Sequence, residues 1–243
     1  MNYSFLQCGE GALTVHLGDG IDPAINRRVT ALQGAIGSAG LRGITDLIPA
    51  YADLTVCYDC TVISAKALQR QLRRLLDSLS VAGQDRRRVF RLPVCYCGDY
   101  GPDLDFVCHH SGLSAQEVIA LHSAPDYLIY MLGFLPGFAY LGGLDPRLHT
   151  PRLDSPRTCI PAGSVGIGGA QTGVYPLASP GGWQLLGRTP VSVFDRQRQE
   201  PILYRAGDLV HFVPISPAEY EEIARAVAAG TYTVQVEEVP VCD

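Results

Sequence analysis

The chain has 243 residues, 47% of them hydrophobic and 18% charged, a composition that suits a packed globular protein and excludes a disordered one. A formal charge of −5 argues against nucleic acid as the main partner, and the apolar runs are too short and too broken by Gly, Pro or charge for a membrane-spanning helix. The start, MNYSFLQCGEGALTVHL, lacks a basic stretch followed by an apolar one, so a cytoplasmic location is expected and the eight cysteines are read as reduced thiols.

The single lysine, Lys66, lies in a helical pattern with no glycine loop before it. A Walker A phosphate loop, a biotin attachment site and a Schiff-base lysine are therefore not expected on this chain.

Residues 1–92 read as a small α+β domain. Residues 2–7 and 12–17 suggest a hairpin around Gly9 and Gly11. Asp22 and Pro23 supply an N-cap and a first-turn proline, with Ile25, Val29, Leu32 and Ile36 at helical spacing behind them. Strands follow near residues 43–47 and 52–58. Ser64 caps a second helix with the stripe Leu68, Leu72, Leu75, Leu76 and Leu79. Residues 88–94 supply a last strand. With the first strand left out, the order is βαββαβ, the ferredoxin-like pattern.

Residues 93–243 use a different grammar. Two short helices come first, the second opened by a capping box at Ser114 and Glu117, and residues 127–132 form a buried strand. Residues 131–190 then hold 12 Gly and 8 Pro in 60 positions, a density that no helix survives. Residues 191–195 and 208–214 read as strands, Ser216 and Pro217 open a helix, and residues 231–239 alternate as a final strand. The half is read as a β-barrel with peripheral helices.

Residues 131–190 carry a net charge of +2, and all four cations, Arg147, Arg152, Arg157 and Arg188, are arginines. A guanidinium fork pairs bidentately with a carboxylate or phosphate. Two glycine-rich stretches, around Gly163 and Ser164 and across Ser179, Gly181 and Gly182, offer peptide N–H groups that form anion-binding concavities. Trp183 floors such a pocket, and Gln171, Thr172 and Tyr175 add neutral donors and acceptors. His122, close to the segment, joins them. The expected ligand is a small anion held by arginine forks and bare amides converging on one hollow in the barrel. No catalytic base or nucleophile is assigned.

Several motifs are declined. Ser164 lacks the glycine and the following helix of a nucleophile elbow. Gly166-Ile167-Gly168 has no βαβ unit around it for a dinucleotide. Cys57, Cys60, Cys95 and Cys97 have spacings unsuited to structural zinc, so no metal site is expected and their role stays open.

Three runs, residues 130–141 (YMLGFLPGFAYL), 161–167 (PAGSVGI) and 179–190 (SPGGWQLLGRTP), resemble the signatures of one bacterial family. It comprises the B subunit of 5-oxoprolinase, subunit 1 of allophanate hydrolase-type carboxyltransferase proteins of the C/D type, and the histidine-kinase inhibitor KipI. The resemblance implies a ferredoxin-like N-terminal domain and a cyclophilin-like C-terminal barrel, and it adds Phe134, Pro136 and Tyr140 to the pocket. It implies ATP-dependent opening of 5-oxo-L-proline to L-glutamate, with ATP and Mg as cofactors and no biotin on this chain. A related C subunit and an A subunit are the implied partners, the chain being inactive alone. The alternatives within the family are a KipI-like inhibitor of a sensor histidine kinase and a carboxyltransferase subunit of a urea or allophanate system.

Overall fold

The computed structural model describes residues 3–79 and 86–240, and the chain divides between residues 85 and 86 into two compact units. Among the described residues no helix is long and apolar enough to cross a membrane.

In the first unit, β1 (Ser4–Cys8) and β2 (Ala12–His16) form the expected hairpin. Helix α1 (Pro23–Ala39) starts where Asp22 accepts from the Ala24 N–H and stops where Gly40 turns left-handed. Next come β3 (Ile44–Pro49), β4 (Asp53–Tyr58) and α2 (Ala65–Asp77), the last capped by Ser64. The sheet runs β1-β2-β4-β3, all antiparallel. Alternate residues Leu13, Val15, Leu54 and Val56 bury against Val29, Leu32 and Ile36 of α1 and Leu68, Leu72 and Leu76 of α2. The strand expected to close this sheet is absent from it. It is β5 (Arg86–Cys95) and belongs whole to the second unit, and β1, which the ferredoxin-like order leaves out, holds the edge beside β2.

The second unit continues from β5 through one 3₁₀ turn (Gly98–Tyr100), α3 (Leu104–Ser111) and α4 (Ala115–Ser123), which has the predicted capping box. Strands β6 (Tyr127–Leu132), β7 (Ala139–Gly142), β8 (Arg157–Ile160), β9 (Ser164–Gly168), β10 (Gln171–Val174), β11 (Ser179–Gly181) and β12 (Gln184–Arg188) follow. The chain ends with β13 (Leu209–Ile215), α5 (Pro217–Ala228) and β14 (Gln235–Pro240).

Seven strands close in the order β5-β13-β6-β7-β10-β9-β12, the seam being the pairing of Arg188 with Cys95. Strand β14 adds to the edge of β5, and β8 with β11 makes a separate two-stranded sheet. The result is a mixed α/β architecture whose barrel fits a cyclophilin-like one. Phe90, Leu92, Val94, Ile129, Leu141, Val165, Ile167, Leu186, Val210 and Phe212 share one core. The arginine run of β5 is tied down rather than free: Arg88 grips Asp208 at 3.0 and 2.6 Å, and Arg91 grips Glu237 at 2.8 and 2.9 Å.

Two strand expectations need correction. Residues 191–195 form no strand, and Phe194 makes only an isolated bridge to Ile202. The last strand starts at Gln235 because the N–H groups of Thr231 and Tyr232 still donate to the Ala226 carbonyl at the end of α5.

Candidate functional site

Consecutive residues of β12 point to opposite faces, so Leu186 enters the barrel core and Leu185 joins a second, smaller core. That second core is Phe138, Ile160, Tyr175, Trp183 and Leu185. Its rings meet edge to face: Phe138 lies 5.4 Å from Tyr175 and 5.5 Å from Trp183.

The glycines of β9 and β10 make room for this cluster. A Cβ on Gly168 would stand 2.4 Å from Trp183 Nε1, and one on Gly173 would stand 3.2 Å from Trp183 Cζ3. Their missing side chains let the indole lie close on the strands. The expectation that the glycine loops present bare amides fails here. Gly163 donates its N–H to the Tyr175 carbonyl at 2.7 Å, and Gly169 donates to Thr150 at 2.8 Å. A β-ladder has consumed the donors, and glycine is present for clearance.

Beside this core lies a hollow of about 290 Å³. Phe134, Phe138, Tyr140, Tyr175 and Trp183 supply aromatic walls, Pro156 and Pro180 supply apolar ones, and Gly181 and Gly182 a bare stretch of backbone. Arg152 is its cation, with the guanidinium carbon 5.8 Å from the centroid of the Trp183 ring. Burial pushes the Tyr175 hydroxyl above its usual range, against a backbone hydrogen bond at Trp183 and the nearby charges of Arg152 and Arg157, so it stays a protonated donor. Phe134 sits at the rim with φ of 61° and 62% of its surface exposed, the one positive-φ residue other than glycine among those described. Such a conformation in a bulky residue costs on the order of 1–3 kcal/mol and marks a rim shaped by its turn.

The remaining predicted site residues go elsewhere, so the expected convergence of arginines is not found. Arg157 donates to Asp103 Oδ1 at 2.6 Å and to the Trp183 carbonyl at 3.4 Å. Asp103 accepts in turn from the Leu185 N–H at 2.6 Å, so this pair clamps the backbone on both sides of Gln184. Arg188 lies over the Tyr100 ring at 5.8 Å, beside Tyr220. Arg147 pairs with Asp145 in its own turn. Pro136 is exposed and outside the lining. Ser164 and Ser179 are buried with hydroxyls that have no hydrogen-bond partner among the described residues, and Gln171 is half-buried at the start of β10.

His122 and Thr172 belong to the core. Tyr96 and Thr172 hold the two His122 ring nitrogens, each at 2.8 Å, and Thr172 donates to the Gly166 carbonyl at 3.0 Å. Burial depresses the His122 pKa to about 3, so the ring is neutral and structural. Among the described residues no three His, Cys, Asp or Glu side chains gather in a metal-binding group.

Residues 3–204 match the family model described as "Carboxyltransferase domain, subdomain C and D". The chain belongs to this carboxyltransferase family. It is 41% identical over 230 residues to the B subunit of the Bacillus subtilis 5-oxoprolinase, covering 90% of this chain and 96% of that protein. It is 45% identical over 207 residues to the B subunit of the Escherichia coli O157:H7 5-oxoprolinase, covering 85% and 93%. The urea carboxylase structure of Kluyveromyces lactis superposes with a TM-score of 0.83 over 98% of this chain and 24% of that one, a likeness of fold at 23% identity. The chain also spans 40% of the length of another solved protein, at 40% identity and a TM-score of 0.75 over 84% of its own residues.

Proposed function

We propose that this chain is the B subunit of an ATP-dependent 5-oxoprolinase and that its hollow binds 5-oxo-L-proline, which the complex opens to L-glutamate. The supporting observation is the pairing of Arg152 with an aromatic box. A guanidinium at the rim suits the substrate carboxylate, and the walls suit a compact lactam ring. Tyr175 lines the same space, and its hydroxyl is proposed as the neutral donor for the lactam carbonyl.

Among the described residues the lining has one cation and no carboxylate, so it does not fit a magnesium-bound triphosphate. ATP is proposed to bind with the partner subunits, and no step is assigned to it on these residues. A related C subunit and an A subunit are the proposed partners, with the chain inactive alone and the complex cytoplasmic. The first unit is proposed to be a ferredoxin-like variant in which β1 replaces the fourth strand.

The inhibitor reading requires a continuous apolar patch. On the sheet of the first unit, Leu6 and Ile48 are each more than half exposed, but Thr14 and Thr55 separate them along the same cross-strand row. Co-expression with the C and A subunits is expected to give a stable complex that releases glutamate from 5-oxoproline when ATP is supplied. A well-folded complex with no release contradicts the proposal.

A further inference from the structure

Cys95 and Cys97 stand at the end of β5 with their sulfurs 3.3 Å apart. The residue between them sets this geometry. Tyr96 turns inward to reach His122, and strand alternation then places both neighbouring thiols on the opposite side. Cys95 is fully buried, whereas Cys97 is exposed and extended, with φ of −122° and ψ of 156°. Two extended residues span about 6.6 Å between Cα atoms, close to the upper limit a disulfide tolerates. A bond closed there is strained and easily reduced, a switch rather than a staple.

We propose that Cys95 and Cys97 are an oxidative modification site that closes reversibly to an intrastrand disulfide when a hydroperoxide reaches Cys97. The exposed Cys97 thiolate attacks the peroxide oxygen, breaks the O–O bond and becomes a sulfenic acid, with hydroxide as the leaving group when the oxidant is hydrogen peroxide. The Cys95 sulfur then attacks the Cys97 sulfur, and the displaced hydroxide takes the Cys95 proton and leaves as water. Two electrons pass from the sulfur pair to the peroxide. Burial raises the Cys95 thiol to about 11, so it resolves the intermediate rather than meeting the oxidant first.

The position gives the bond consequences. Cys95 pairs with Arg188 at the barrel seam, and a Cβ on Gly187 would stand 2.6 Å from the Cys95 carbonyl oxygen, so the strands are already in close contact. Cys97 begins the 3₁₀ turn and its carbonyl accepts from the Tyr100 N–H at 3.2 Å, and Tyr100 carries the Arg188 guanidinium. Drawing the two sulfurs together pulls on both ends of the Arg188–Tyr100 contact.

The test treats the full chain with hydrogen peroxide, alkylates it in denaturant and maps it after cleavage at aromatic residues. A cut at Phe106 separates Cys108 from the pair, and a cut at Tyr96 leaves two halves joined only through a disulfide. The expected result is loss of alkylation at both Cys95 and Cys97, a peptide lighter by two hydrogens, and full recovery with dithiothreitol. In a Cys97→Ser chain, Cys95 is expected to remain alkylatable after the same treatment. The proposal is overturned if Cys97 proceeds to sulfinic acid while Cys95 stays free. It is also overturned if both remain alkylatable at peroxide doses that oxidise the exposed Cys159.

Discussion

At the scale of single residues, four arginines that look equivalent in the sequence divide into different tasks. Arg152 alone lines the hollow, so Arg152→Lys, which loses the planar fork and its stacking on Trp183, is expected to weaken 5-oxoproline binding about tenfold. Isothermal titration checks this, and an unchanged Kd would remove Arg152 from the site. Arg157 is a positioning residue. Arg157→Ala leaves the Asp103 carboxylate, only 11% exposed as a side chain, without its partner, and is expected to cost about 3 kcal/mol in stability. Urea denaturation reads that loss. A variant as stable as the parent would show that the clamp is incidental. What made the four look alike is that composition reports charge but not its partner: Asp103 lies 54 positions before Arg157, and no local pattern links them.

His122 supplies a pH dependence of known sign. Its folded pKa of about 3 lies below its ordinary 6.5, so protonation favours the unfolded chain. The stability it contributes is present above pH 6.5 and is lost as the pH falls toward 3. Between pH 6.5 and 4.5 the loss is expected to reach about 2 kcal/mol. In a His122→Asn chain the stability curve is expected to be flatter over that interval, measured by denaturation at each pH. Parallel curves for the two proteins would contradict a buried neutral ring.

At the scale of elements, the helices were legible because their ends are written in short range. Asp22, Ser64, Ser114 and Ser216 each cap as their sequence contexts indicate. Strand partners were not legible. The apolar residues of β5 say that the strand is buried but not which sheet receives it, and the parallel pairing with β13 joins Val89 to Leu209 across more than a hundred residues. Glycine-rich strands were misread for a related reason, since a glycine that frees an amide and one that clears space for an indole are the same letter. Gly168→Ala separates these roles. Its methyl meets Trp183, so it is expected to cost about 1–3 kcal/mol by overpacking and to shift the tryptophan emission. An unshifted spectrum with normal stability would mean that the indole does not lie on β9.

At the scale of the whole molecule, the barrel is filled by one core, and the hollow lies against a second, aromatic one. The filled core keeps β7, β10 and β12 fixed while the residues flanking their ends present Phe138, Tyr175 and Trp183 to the hollow. The family was legible because two of its three motifs build this wall: residues 130–141 bring Phe134, Phe138 and Tyr140, and residues 179–190 bring Pro180, Gly181, Gly182 and Trp183. The seven-stranded closure and the place of β5 in it were not, because both depend on pairings between distant segments.

Trp183 is the only tryptophan in the chain and forms part of the wall, so its fluorescence reports the hollow directly. Titration with 5-oxo-L-proline is expected to shift the emission and saturate, while 2-pyrrolidone, the same lactam without the carboxylate, is expected to leave it unchanged. An equal response to both compounds, or none to either, would contradict a carboxylate-selective lactam site at Arg152 and Trp183.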